Sequence, residues 1–175
     1  YQRKYISRKD LLSCSQYLKD SGYVNTDKLG VYFASAGGVT AAMAINENPE
    51  MYKAAVGEAP MLNPLRLGYQ ANFIASDNDY DFGTKSTLEG FKSLLKLDPI
   101  LNLKKNRSYP NTLIISGGQD ELVPIYDGAK YIAFLQSQKI KTNNAYLLDV
   151  VKDEGHNLSP LETTRKALFF FNNEL

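Results

Sequence analysis

Apolar positions along the chain alternate between two periods. Residues 7–20 repeat them at helical spacing, and Gly22 just beyond reads as a stop. Residues 29–34 are a short apolar run suited to a buried strand, residues 36–46 return to helical spacing and end before Pro49, and residues 54–59 read as a second buried strand. Between residues 60 and 97 the pattern weakens into a long excursion, with Leu88, Phe91, Leu94 and Leu95 at helical spacing. Regularity then returns as a strand over 112–116, a helix over 125–138, a strand over 145–151, and a helix over 160–172 with Pro160 suited to its first turn. This alternation predicts an α/β fold, a mostly parallel sheet with helices on both faces. In such sheets, chemistry gathers at the carboxyl ends of the strands.

Three strand ends carry chemistry. Val31-Tyr32-Phe33-Ala34 runs directly into Ser35-Ala36-Gly37-Gly38, a strand-to-helix corner of the G-x-S-x-G kind with the leading glycine replaced by Phe33. The corner is expected to be strained, with Gly37 as the point of steric relief. A helix N-cap would explain an isolated serine equally well. After residues 112–116 comes Gly117-Gly118-Gln119-Asp120, and after residues 145–151 comes Lys152-Asp153-Glu154-Gly155-His156, which holds the single histidine. Acyl transfer needs these three types. A serine hydroxyl requires a base to take its proton, imidazole can accept and return that proton near neutrality, and a carboxylate fixes the imidazole tautomer. The order Ser35, Asp120, His156 is that of the α/β-hydrolase scaffold, of which the chain reads as the C-terminal part. The Ala36 amide is the candidate oxyanion donor.

Composition narrows the field. The chain has 175 residues, enough for one domain with a sizeable core, and a formal charge of +1 that favours neither nucleic acid nor an acidic membrane surface as partner. No apolar run approaches the length of a membrane span. One histidine and one cysteine cannot form a zinc site, so neither metal nor cofactor is expected. The lone Cys14 cannot form an internal disulfide and suits a reducing, cytoplasmic setting. It aligns with Leu11, Ser15 and Leu18 on one helical face and is expected to be a small buried thiol. The opening Tyr-Gln-Arg-Lys-Tyr reads as the start of a piece of something longer.

With these residues in place, the chain resembles the catalytic domain of the prolyl oligopeptidase family of serine peptidases, and within it the oligopeptidase B branch most. The likeness covers nearly all of residues 1–160. It rests on Asp10, Ser35-Ala36-Gly37-Gly38, Asn48-Pro49-Glu50-Met51-Tyr52-Lys53-Ala54-Ala55-Val56, Asp81-Phe82-Gly83, Asp98-Pro99, Gly117-Gly118-Gln119-Asp120 with Val123-Pro124, and Gly155-His156. The resemblance implies short peptides as substrates, cut through an acyl-enzyme. It also implies that residues 1–175 are a partial peptidase domain, with further strands and a β-propeller upstream in the same protein. The family's second oxyanion donor, a tyrosine hydroxyl, would lie upstream too, so the isolated segment is expected to be poorly active.

Departures from the family pattern carry their own expectations. Phe33 stands where the family has glycine and is expected to strain the elbow. The family's proline-cutting members carry tryptophan in the excursion, asparagine after the nucleophile and arginine two residues after the aspartate. This chain has no tryptophan, and it places Ala36 and Leu122 at the latter two positions. Instead the excursion holds Ser76-Asp77-Asn78-Asp79-Tyr80-Asp81, whose acids Asp77, Asp79 and Asp81 could pair with a substrate's arginine or lysine, as in the oligopeptidase B branch. A solvated acidic loop has the same composition. Two other classes stay open: a carboxylesterase on the same scaffold, and a catalytically inactive α/β-hydrolase-like protein.

Overall fold

In a computed structural model that describes residues 3–25, 27–66, 80–139 and 142–175, helix α1 (Ile6–Asp20) leads into a parallel sheet. Among the described residues the sheet has four strands: β1 (Gly30–Ala34), β2 (Ala54–Glu58), β3 (Asn111–Gly117) and β4 (Tyr146–Val151), in that spatial order. Each pairs parallel with the next, with Ala34 opposite Glu58, Glu58 opposite Ile115, and Gly117 opposite Val151. Parallel neighbours need crossover connections. Helix α2 (Gly37–Glu47) joins β1 to β2, the long excursion with α3 (Leu88–Leu97) joins β2 to β3, and α4 (Ile125–Gln136) joins β3 to β4. Helix α5 (Pro160–Glu174) follows β4. The α/β architecture, with helices on both faces, agrees with the sequence reading.

Strand periodicity divides the core. Phe33, Ala55 and Ile114 face α1, α2 and α4, packing with Ala41, Ile45, Tyr131 and Leu135. Their neighbours Ala54, Val56, Leu113 and Ile115 face α5, packing with Ala167 and Phe170. Successive side chains alternate faces, so a strand covered on both sides must be apolar at nearly every position. All of β3 is buried accordingly. Among the described residues β1 is an edge strand, and Tyr32 on it is 47 % exposed.

Two local expectations are overturned. Cys14 is exposed. The buried member of that helical turn is Ser15, whose hydroxyl donates to the Leu11 carbonyl and shares a 2.8 Å hydrogen bond with the Tyr52 hydroxyl. One residue rotates a helix by about 100°, so the face centred on Ser15 leaves Cys14 at its rim. Phe33, expected to crowd the corner, is 6 % exposed and lies in register opposite Gly57. A Cβ on Gly57 would stand 2.6 Å from Phe33 Cε2 and 2.8 Å from Ile114 Cδ1. The ring fills space that a bare glycine on the neighbouring strand leaves open.

The excursion after β2 is tied down by buried carboxylates. Asp127, in the first turn of α4, accepts hydrogen bonds at Oδ2 from the Leu62 and Asn63 amides, at 3.1 and 2.9 Å. Asp98, just past α3, accepts at Oδ2 from Asn63 Nδ2 (2.6 Å) and the Leu65 amide (3.2 Å), and at Oδ1 from the Leu101 amide (3.0 Å). Burial pushes both carboxyls up. For Asp127 the donated amides and Lys130 oppose the rise, the charge of Asp98 adds to it, and the result is about 6.

Two measurements follow from this packing. Gly57→Val should overpack the sheet and cost roughly 1–3 kcal/mol in urea unfolding. Adding Phe33→Leu should recover part of that loss, because the two positions share one space. For Asp127, the folded state keeps a proton between the ordinary carboxylate range and pH 6 that the unfolded chain has released. Stability should therefore fall as pH rises through that window, by roughly 3 kcal/mol in total. Asp127→Asn, which keeps an acceptor oxygen but cannot ionise, should flatten that fall.

Candidate active site

The end of β1 turns sharply at Ser35, which has φ +47°, a left-handed conformation that a side-chain-bearing residue adopts only under constraint. Hydrogen bonds supply the constraint. The Ser35 amide donates to the Glu58 carbonyl at 3.0 Å, and the Ser35 carbonyl accepts from the Gly38 and Met61 amides at 2.9 and 2.8 Å. The close approach is at Gly38 rather than at Gly37. A Cβ on Gly38 would stand 2.8–2.9 Å from Met61 O, Met61 N and Pro60 Cβ, whereas one on Gly37 would meet nothing within 4 Å. The corner needs its second glycine because α2 starts directly against the chain leaving β2. Ala36 is exposed and caps α2, so its amide heads the N-terminal N–H groups of that helix.

The other two strand ends are fastened to each other. A Cβ on Gly117 would stand 2.2 Å from the Gly155 carbonyl oxygen, so the turn after β3 lies directly on the loop after β4. The Gly118 amide donates to the Val151 carbonyl and the Gln119 amide to the Glu154 carbonyl, both at 2.9 Å. Farther along the second loop, the Glu154 carboxylate accepts from the Ser159 amide at 2.8 Å. These contacts bring Asp120 beside His156.

The structure brings Ser35, His156 and Asp120 together. Ser35 Oγ lies 2.9 Å from His156 Nε2, and His156 Nδ1 lies 2.8 Å from Asp120 Oδ2. Asp120 Oδ1 accepts the Leu122 and Val123 amides at 2.9 and 2.8 Å, which fixes the plane of the carboxylate. The Asp120 side chain is fully buried and that of His156 is 17 % exposed. A carboxylate can only accept, so it draws the imidazole proton to Nδ1 and leaves Nε2 free to receive the serine proton. Among the described residues, no cluster of His, Cys, Asp and Glu could hold a metal ion.

The expected acidic pocket is not seen whole. Asp77 and Asp79 lie outside the described residues. Asp81 is exposed, with Lys4 Nζ 3.4 Å from its carboxylate. Leu65, Arg66, Lys85, Phe91 and Tyr126 line a cavity of about 370 Å³ that none of Ser35, His156 and Asp120 borders.

Sequence reasoning missed several residues around the site. The Tyr32 hydroxyl donates to Glu58 Oε2, and burial followed by that bond raises the phenol to about 12. Met61, Phe82 and Val123 pack with Val39 in a buried cluster beside the elbow. Phe82 and Val123 stand inside stretches quoted for the resemblance, but nothing in the sequence marks them as neighbours of Met61 and Val39. For the Asn63–Asp98–Asp127 network it was two acids adjoining apolar runs, of which only Asp98 drew notice, through its pairing with Pro99.

Comparisons with known proteins agree with this fold. The family model described as "Prolyl oligopeptidase family" matches residues 1–175. A prolyl endopeptidase of Dictyostelium discoideum is 29 % identical over 168 residues, covering 95 % of this chain and 21 % of the relative. A prolyl endopeptidase of Elizabethkingia miricola is 27 % identical over 156 residues, covering 89 % of this chain and 22 % of the relative. The chain thus spans about a fifth of the length of these curated relatives. Among solved structures, apo prolyl oligopeptidase B from Galerina marginata superposes with a TM-score of 0.80 at 22 % identity, over 96 % of this chain and 24 % of that one. Oligopeptidase B from Leishmania major superposes with a TM-score of 0.78 at 19 % identity, over 94 % of this chain and 23 % of that one. At such identities the structural likeness speaks for the fold alone, here an α/β-hydrolase fold. Together with the family match along its whole length, it means that this chain belongs to the prolyl oligopeptidase family.

Proposed function

We propose that this chain carries the catalytic centre of a serine peptidase that hydrolyses short peptides through an acyl-enzyme. The observation that supports the reading is the unbroken hydrogen-bond run from Ser35 through His156 to Asp120, anchored at its far end by two backbone amides. Ser35 Oγ attacks the scissile carbonyl carbon as its proton passes to His156 Nε2, and the oxyanion that forms meets the Ala36 amide. His156 gives that proton to the leaving amine as the C–N bond breaks. Water then attacks the acyl-serine, losing a proton to His156, and Ser35 is regenerated as the acid product departs. Asp120 stays ionised throughout and holds the imidazole in the tautomer and orientation that both transfers need.

A finer reading concerns specificity. Carboxylates of the 76–81 stretch would bind a basic side chain on the acyl side of the cut, through paired, charge-assisted hydrogen bonds. Asp77 and Asp79 carry this reading more than Asp81, whose carboxylate faces Lys4.

Hydrolysis by the full-length protein, rather than by residues 1–175 alone, distinguishes the open classes. Peptide substrates should be turned over, and Asp120→Asn should lower kcat by roughly 10³–10⁴-fold. Turnover of simple esters without any peptide would make it a carboxylesterase, and turnover of neither would make it an inactive relative. Peptides varied only at the residue before the cut should favour Arg and Lys, and Asp77→Ala with Asp79→Ala should abolish that preference. Equal rates with Ala at that position would refute the acidic pocket.

A further inference from the structure

The chain leaving β2 fastens the elbow, and it is fastened in turn by side chains that take no part in the proposed reaction. The Met61 amide donates to the Ser35 carbonyl, and the Met61 backbone lies against the first turn of α2 at Gly38. The next two amides along the chain, those of Leu62 and Asn63, both point at Asp127 Oδ2. Asn63 Nδ2 and the Leu65 amide then point at Asp98 Oδ2. Asp127 is 1 % exposed and Asp98 fully buried.

We propose that Asp127, supported by Asp98 through Asn63, is a positioning residue for Ser35, holding the 61–65 segment so that the nucleophile's turn keeps its left-handed conformation. Three points of chemistry carry the idea. Residues 61–63 lie outside any strand or helix, so these buried amides need acceptors from elsewhere. A single side-chain oxygen accepts two consecutive amides, which ties the segment at adjacent points and suits a stretch that must not slide. The amide bound to Ser35 and the amides bound to Asp127 belong to consecutive residues, so a shift at one end reaches the other with no flexible chain between. Displacements of about 1 Å at a reacting group cost on the order of a hundredfold in rate, so even a partial relaxation of the turn should be visible.

The consequence for rate rests on the proposed serine peptidase reaction; the hold on the turn does not. The test therefore measures both, in the full-length protein, with Asp127→Ala, Asp127→Asn and wild type. Asp127→Ala should speed amide hydrogen exchange across residues 35–39 as well as 61–65. It should also slow phosphonylation by a fluorophosphonate about tenfold or more per folded molecule. Asp127→Asn keeps an acceptor oxygen for both amides and should stay within about threefold of wild type on both readings. Such rescue separates positioning from charge. Should Asp127→Ala not accumulate as folded protein, Asn63→Ala, which removes only the link to Asp98, should give the same pattern with a loss of about threefold. Faster exchange at 61–65 with unchanged exchange at 35–39 would overturn the proposal. So would a lowered melting temperature with wild-type phosphonylation per folded molecule, since Asp127 would then be merely structural. If wild type takes no label at Ser35, the peptidase reading fails, and the exchange at 35–39 still decides whether Asp127 holds the turn.

Discussion

The left-handed turn at Ser35 is the constraint on which the rest of the site depends. Such a conformation costs a non-glycine residue about 1–3 kcal/mol and persists only where its surroundings impose it. Three backbone hydrogen bonds impose it here, one through the Ser35 amide and two through the Ser35 carbonyl. Two of the three partners, Glu58 and Met61, belong to β2 or the chain leaving it. The elbow is thus a joint between two adjacent parallel strands rather than a property of its own short motif. This explains how the corner accepts Phe33. The ring lies over Gly57 inside the core while the backbone bonds at Ser35 stay intact.

Parallel pairing does the remaining long-range work. With every strand pointing the same way, the ends of β1, β3 and β4 open on one edge, and residues distant in sequence meet there. β2, lying between β1 and β3, contributes no group to the serine–histidine–aspartate run. It contributes the scaffold instead: Glu58 receives the Ser35 amide and the Tyr32 hydroxyl, and the chain beyond it carries Met61 and the segment held by Asp98 and Asp127. Glycines finish the assembly where backbones touch, at Gly38 against Met61 and at Gly117 against Gly155.

Much of this was legible in the sequence because it depends on short-range pattern. Strand and helix periods placed the elements within a few residues, and the chemistry-bearing residues stood out because each follows a strand. What stayed hidden depends on neighbours from other parts of the chain. Nothing near Phe33 in sequence says that residue 57 opposite it is glycine. The helical stripe through Cys14 spanned both the buried face and its rim, and only the contact between Ser15 and Tyr52 fixes the centre of that face. Asp127 read as an ordinary acid in the first turn of a helix, since its burial is decided by the segment around residues 62 and 63, far away in sequence.

Activation of the Ser35 hydroxyl by His156 is the step on which the proposed reaction depends. The most direct measurement is to treat the full-length protein with a fluorophosphonate, digest it, and locate the adduct by mass spectrometry. One adduct is expected, on Ser35, formed at a rate that falls by orders of magnitude in His156→Ala. An adduct on another serine, or labelling of Ser35 at the same rate without His156, would contradict it.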